Sequence, residues 1–242
     1  MSPSTETITL AAIGDLHVRE ASEGRFRGMF AELSEQADVL ALCGDLTNFG
    51  KIAEVENLVQ DLAACTIPTV AVLGNHDYED GQADEVARRL REAGVTMLGE
   101  QATVIAGVGF AGVKGFVGGF GRGELGSFGE AAIKAFVDEA KEEARMLENA
   151  LRSLRTERVV AVLHYAPIVE TVEGEPLEIY PFLGSSRLAH AVDRFDNVKA
   201  VVHGHAHRGR YEGRTPRGVP VYNCARYVVD AAFGRPYALL QV

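Results

Sequence analysis

The side chains of this 242-residue chain that could do chemistry together fall into five short blocks. They are Asp15-Leu16-His17, Gly44-Asp45, Gly74-Asn75-His76-Asp77, His164, and Gly204-His205-Ala206-His207. Carboxylate and amide oxygens mixed with imidazole nitrogens make a ligand set that suits Mn, Fe or Zn. Taken singly, the blocks have plainer readings. Gly44-Asp45 is an ordinary way to leave a strand, and Asn75 to Asp77 could be a turn. His164 could be a hydrogen-bonded core histidine, and the His205/His207 pair a strand cap. Their shared position is harder to dismiss. Each block begins where an apolar run stops: Ile8 to Ile13, Val39 to Cys43, Pro68 to Leu73, Val159 to Leu163, and Val198 to Val202. Core packing does not require that.

The apolar runs alternate with helical periodicity near residues 25–36, 51–64 and 82–93. This βαβα order predicts a parallel sheet covered by helices in the first half. Ligands of such sheets bind in the crevice beyond the C-terminal strand ends, so the five blocks are predicted to meet at one edge. Residues 101–113 read as paired strands, 115–129 as a glycine-rich loop, and about 130–155 as a long amphipathic helix. Residues 210–242 read as short strands between Gly/Pro turns. No repeat, linker or low-complexity tract interrupts the chain, so residues 1–242 are expected to form one domain.

Hydrophobic residues make up 47% and charged residues 24% of the chain, enough for a core without staples. The formal net charge of −10 argues against stable binding to long nucleic acid. A small phosphorylated substrate is still admitted, because bound cations dominate the local field. No apolar run approaches about 18 residues, so no membrane-spanning helix is expected. The first residues lack a basic leader and an apolar signal core, and a cytoplasmic location is expected. Cys43, Cys65 and Cys224 show no CxxC spacing and read as reduced core thiols. No GxSxG elbow, GxGxxG after a first strand or Walker lysine loop is present, which weighs against serine-hydrolase, dinucleotide and nucleoside-triphosphate chemistry.

In this order the blocks resemble the calcineurin-like metallophosphoesterase family, all five matching between residues 13 and 207. The GNHD block and the final GHxH are most similar to its compact bacterial phosphodiesterase branch. The resemblance implies a four-layer α/β/β/α sandwich of two mixed sheets flanked by helices. It implies two divalent or trivalent transition-metal ions. Asp15, His17 and His207 would hold one, Asn75, His164 and His205 the second, and Asp45 would bridge them. A hydroxide held between the metals would attack phosphorus. His76 matches the family's catalytic histidine, with Asp77 expected to orient it. His190 and His203 match no ligand position and are expected to be structural.

The expected substrate is a small phosphodiester such as a cyclic nucleotide. A phosphomonoester is one alternative on the same site. Nuclease action is another, guided by a local basic patch of Arg19, Arg25, Arg27, Arg88 and Arg89. A non-catalytic metal-binding scaffold is a reading of a different class, and the presence of every ligand position and of His76 weighs against it. The loop 114–130, with Phe116 and Phe120 among its glycines, reads either as a mobile wall beside the site or as a solvent-facing connection.

Overall fold

In the computed structural model, which describes residues 7–242, the apolar runs become strands that send alternate side chains into two different cores. The first strand, β1 (Thr9–Ile13), sets the pattern: Ala11 and Ile13 face one core, and Leu10 and Ala12 the other. A strand's two-residue period produces this automatically, and burial on both faces makes the run continuously apolar.

Along the chain, β1 is followed by α1 (Arg27–Ser34), β2 (Val39–Cys43), α2 (Ile52–Leu62), β3 (Thr69–Val72), α3 (Ala83–Glu92) and β4 (Thr96–Met97). The second half runs β5 (Thr103–Ile105), β6 (Val108–Val113), α4 (Ala131–Ser153), β7 (Val159–Leu163), α5 (Ser186–Val192) and β8 (Val198–His203). It ends with β9 (Glu212–Arg214), β10 (Pro220–Asn223), α6 (Arg226–Phe233) and β11 (Ala238–Gln241).

Two mixed sheets result. The first has the order β11-β1-β2-β3-β4, parallel from β1 to β4, with β11 antiparallel to β1. The second has the order β5-β6-β7-β8-β10-β9, parallel from β6 through β10, with antiparallel strands at both edges. Leu10, Ala12, Ala41 and Val72 of the first sheet pack against Phe110, Val160, Val162 and Val202 of the second. On the first sheet's outer face, Phe30, Val55, Leu58 and Leu90 bring α1, α2 and α3 down onto Ile13, Leu40 and Leu42. On the second sheet's outer face, Leu147, Leu151, Leu188 and Val192 bring α4 and α5 onto Val159, Ala161 and Val201. The layers are therefore α/β/β/α.

The tail departs from expectation. It supplies β9, β10 and β11 as anticipated, but also the helix α6, which the sequence pattern does not announce. Tyr227, Val228 and Val229 favour strands. Their position decides otherwise: Val228 and Val229 are buried as helix neighbours, Val229 against the core between the sheets. Among the described residues, no helix is long and apolar enough to cross a membrane.

Candidate metal centre

The parallel strands deliver all five blocks to one edge of the sandwich. Asp15, Asp45 and Asn75 leave β1, β2 and β3 of the first sheet, while His164, His205 and His207 leave β7 and β8 of the second. Three groups of ligand atoms converge there, each within 4.8 Å of one another: Asp15 with His17 and His207, Asp45 with His164 and His205, and His17 with Asp45 and His76. Asn75 joins the second group, its Oδ1 standing 2.9 Å from His164 Nε2.

Asp45 lies between the groups. Its Oδ1 is 3.3 Å from His164 Nε2, and its Oδ2 is 3.8 Å from His17 Nε2. Asp15 accepts from the His205 backbone N–H at 3.0 Å and from His207 Nε2 at 2.9 Å. Backbone shape supports the convergence. Asp15, His17, Asp45 and His205 all have φ between 47° and 71°, a left-handed region that costs non-glycine residues about 1–3 kcal/mol each. Gly74 allows the close approach, since a Cβ there would overlap Asp45 Oδ1 and crowd His164.

The donor set fits a cation. His17 Nε2 is buried and has no hydrogen-bond partner. His164, fully buried, donates Nδ1–H to the Cys43 carbonyl at 3.0 Å, yet its Nε2 also faces oxygens, of Asn75 and Asp45. A neutral imidazole has one N–H, so a lone pair is left facing oxygen acceptors unless positive charge sits between them. His205 is oriented similarly: its Nε2–H donates to the Phe182 carbonyl at 3.2 Å, which leaves Nδ1 as the lone-pair nitrogen. Burial lowers His17 to about 4 and His205 to about 3, so both rings are neutral near pH 7. Burial also pushes the Asp45 carboxyl up to about 6, with the Asp15 and Asp77 charges adding to it against the pull of His164. Asp15 feels the same burial, but the His207 hydrogen bond and the nearby imidazoles more than offset it and hold the carboxyl at about 2.

The surroundings of His76 correct one expectation. Asp77 does not hold the His76 ring. Its buried carboxylate accepts from the backbone N–H groups of Leu46, Thr47 and Gly74 and from the Thr47 hydroxyl. The ring is held by the loop that Asp77 pins: His76 Nδ1–H donates to the Asn48 carbonyl at 2.7 Å. Sequence reasoning missed this carbonyl, as it missed that of Phe182, because a backbone acceptor leaves no mark on residue type. His203 donates Nδ1–H to the Gly204 carbonyl and accepts from the Thr171 hydroxyl, with both ring nitrogens used inside the core.

Two further elements differ from their simplest readings. Phe120 packs against Ala166, Leu183 and Ala206, and Phe116 against Phe136, so these two rings of the 114–130 loop face inward, while Phe128 and most of residues 121–130 are exposed. The arginine patch is divided: Arg88 pairs with Glu85 and Glu92, and Arg89 with Glu85 and Glu56.

No curated protein matches the chain in sequence. Phosphopantetheinyl hydrolase (PptH) from Mycobacterium tuberculosis is similar in structure over 97% of this chain and 95% of its own, with a TM-score of 0.66 and 18% identity. A protein of Thermus thermophilus is similar over 98% and 99%, with a TM-score of 0.58 and 17% identity. A purple acid phosphatase from yellow lupin (Lupinus luteus) seeds is matched over 88% of this chain and 39% of its own, with a TM-score of 0.52 and 15% identity. These likenesses concern the fold. The family comes from sequence: the profile of the calcineurin-like phosphoesterases matches residues 8–209, a span that contains all five blocks, and the chain belongs to that family.

Proposed function

We propose that this chain is a dinuclear metal-dependent phosphoesterase, acting on a small phosphodiester such as a cyclic nucleotide. The observation that carries this reading is the pair of imidazole edges that lack a proton acceptor or donor of the right kind, His17 Nε2 and His164 Nε2. In this reading Asp15, His17 and His207 would hold one ion and Asn75, His164 and His205 the other, with Asp45, which faces both groups, shared between them. When bound, two such ions neutralise phosphate charge and lower the pKa of water enough to make it a nucleophile near neutral pH. Mn, Fe and Zn all suit the ligand set.

The chain's own residues supply the rest. With Nδ1–H committed to the Asn48 carbonyl, His76 has Nε2 as its working atom, on a ring that is half-exposed at the cleft. A proton held there can be given to the leaving oxygen, or can stabilise charge on the phosphoryl group. Asn75 contributes a neutral amide oxygen, which keeps the site more positive than a third carboxylate would. Asp77 acts at one remove by fixing the loop that holds His76. Both sheets furnish ligands, which supports reading the chain as one catalytic domain. A phosphomonoester would use the same groups. Nuclease action is less favoured, because Arg88 and Arg89 are neutralised by glutamates.

The test is a screen of the purified protein loaded separately with Mn, Fe and Zn. It covers aryl monoesters, linear diesters, cyclic nucleotides, single-stranded oligonucleotides and, because a structurally similar protein is a phosphopantetheinyl hydrolase, a phosphopantetheinyl ester. The expected result is metal-dependent turnover with small diesters preferred. Full metal occupancy without hydrolysis of any ester would leave only the scaffold reading.

A further inference from the structure

Arg226, the first residue of α6, carries its guanidinium to the Asp15 side of the site. Its Nε–H donates to the Asp15 backbone carbonyl at 2.9 Å, and Nη2 donates to the Tyr227 hydroxyl at 2.7 Å. The guanidinium lies 4.4 Å from the Tyr227 ring and 5.8 Å from the Phe26 ring. Tyr227 lies over His207, with ring centroids 4.8 Å apart. Two aromatic rings and a backbone carbonyl thus fix the fork beside residues of the first ligand group.

What the fork lacks is an anion. Arg88, Arg89, Arg145, Arg152 and Arg187 each pair with a glutamate, whereas Arg226, like Arg25 and Arg235, pairs with no carboxylate among the described residues; of these three it is the one beside the ligand groups. Its Nη1 donors also have no protein acceptor there. Being half-buried beside Asp15 and without a carboxylate partner, its guanidinium is placed where an anion entering the site could pair with it. Arginine is suited to phosphate because its planar fork can give two parallel charge-assisted hydrogen bonds.

We propose that Arg226 contacts a non-bridging phosphoryl oxygen of the substrate, with Tyr227 holding the guanidinium in position; this rests on the phosphoesterase reading above. The competing role is a buttress for the Asp15 loop. A buttress accounts for the Nε contact but not for the stacked, anion-free remainder of the group.

The test measures binding of inorganic phosphate, the product common to monoesters and a minimal mimic of the group. Calorimetry on metal-loaded wild type, Arg226→Gln and Arg226→Lys is combined with metal analysis of the same samples. Arg226→Gln is expected to keep wild-type metal content and to bind phosphate roughly tenfold or more weakly, the scale of a lost hydrogen bond to a charged group. Arg226→Lys, which retains a point charge, is expected to recover part of that loss. Phosphate affinity in Arg226→Gln within twofold of wild type would overturn the proposal. So would metal loss that accompanies the phosphate loss, since that is the signature of a buttress. Wild type that holds metal but binds no phosphate would sink this inference while sparing the metal assignment; wild type that holds no metal would remove both.

Discussion

At the scale of single residues, the proposed mechanism gives two adjacent positions different jobs. Asn75 and His76 are neighbours, yet Asn75 turns its oxygen to His164 while His76 turns Nδ1–H to Asn48. We therefore expect His76→Ala to retain its metals and to lose most activity on diesters with alkoxide leaving groups, by about 10²–10⁴-fold. Aryl esters, whose leaving groups need little protonation, should lose much less. Equal losses on both substrate types would make His76 a stabiliser of phosphoryl charge rather than an acid. The third convergence of His17, Asp45 and His76 raises a sharper question, because His76 Nε2 is 4.0 Å from Asp45 Oδ2. Metal analysis of the same variant answers it, since loss of an ion would make His76 a ligand. Asp45→Asn should behave differently: it removes the charge that faces both groups, and metal content at both sites should fall well below wild type. Unchanged occupancy would rule out a shared ligand.

At the scale of elements, the strand ends were legible in the sequence and the loops that serve them were not. The strands β1, β2, β3 and β7 are buried on both faces, so the first polar residue after each apolar run marks where it leaves the core; β8, with exposed Lys199, is the exception. That rule locates Asp15, Asp45, Asn75 and His164 without coordinates. It is silent about the loop 46–50, whose role is carried by backbone atoms. Asp77 collects four donors from Leu46, Thr47 and Gly74, and the Thr47 hydroxyl in turn accepts from Gly50 N–H. The pinned loop then offers the Asn48 carbonyl to His76. Asp77→Asn would set an amide NH₂ against buried N–H groups. We expect a stability loss of at least about 1–3 kcal/mol in urea unfolding, the cost of one unsatisfied buried group. Turnover should also fall, in a variant that still binds metal. Wild-type turnover in a destabilised Asp77→Asn would detach the loop from the chemistry. The helix α6 was illegible for a different reason. Its β-branched and aromatic residues carry strand propensity, and its tertiary seat overrides that, with Val228 and Val229 buried and Arg226 N–H donating to the Gly14 carbonyl.

At the scale of the whole molecule, the site joins two sheets, and its unmet demands become properties of the fold. The first sheet offers mostly oxygen donors and the second imidazoles, so the sheets bring buried polar groups together where they dock at this edge. Without metal, those groups make the fold sensitive to acid. Burial lowers His17 and His203 to about 4 and His205 to about 3, against an ordinary value of 6.5. As pH falls from 6.5 toward 4, the unfolded chain takes up protons that these folded rings refuse, so acidification favours unfolding. Asp45 works the other way. Its folded carboxyl titrates near 6 and its unfolded one near 3.8, so over that interval the fold binds the extra proton and gains. His207, raised despite burial by its Asp15 hydrogen bond, takes its extra proton mostly above this interval. Within it three rings oppose one carboxyl, and the metal-free melting temperature is expected to fall between pH 6.5 and 4. Metal should raise the melting temperature by mass action at pH 7. That increment should shrink on acidification, because ligands must give up protons to bind an ion. Calorimetric melts with chelator and with excess Mn or Zn, taken every half unit of pH, measure both effects. A metal-free melting temperature that stays flat or rises through this range would mean that the buried rings are not held neutral. The lone pairs on which the metal assignment depends would then be occupied by protons.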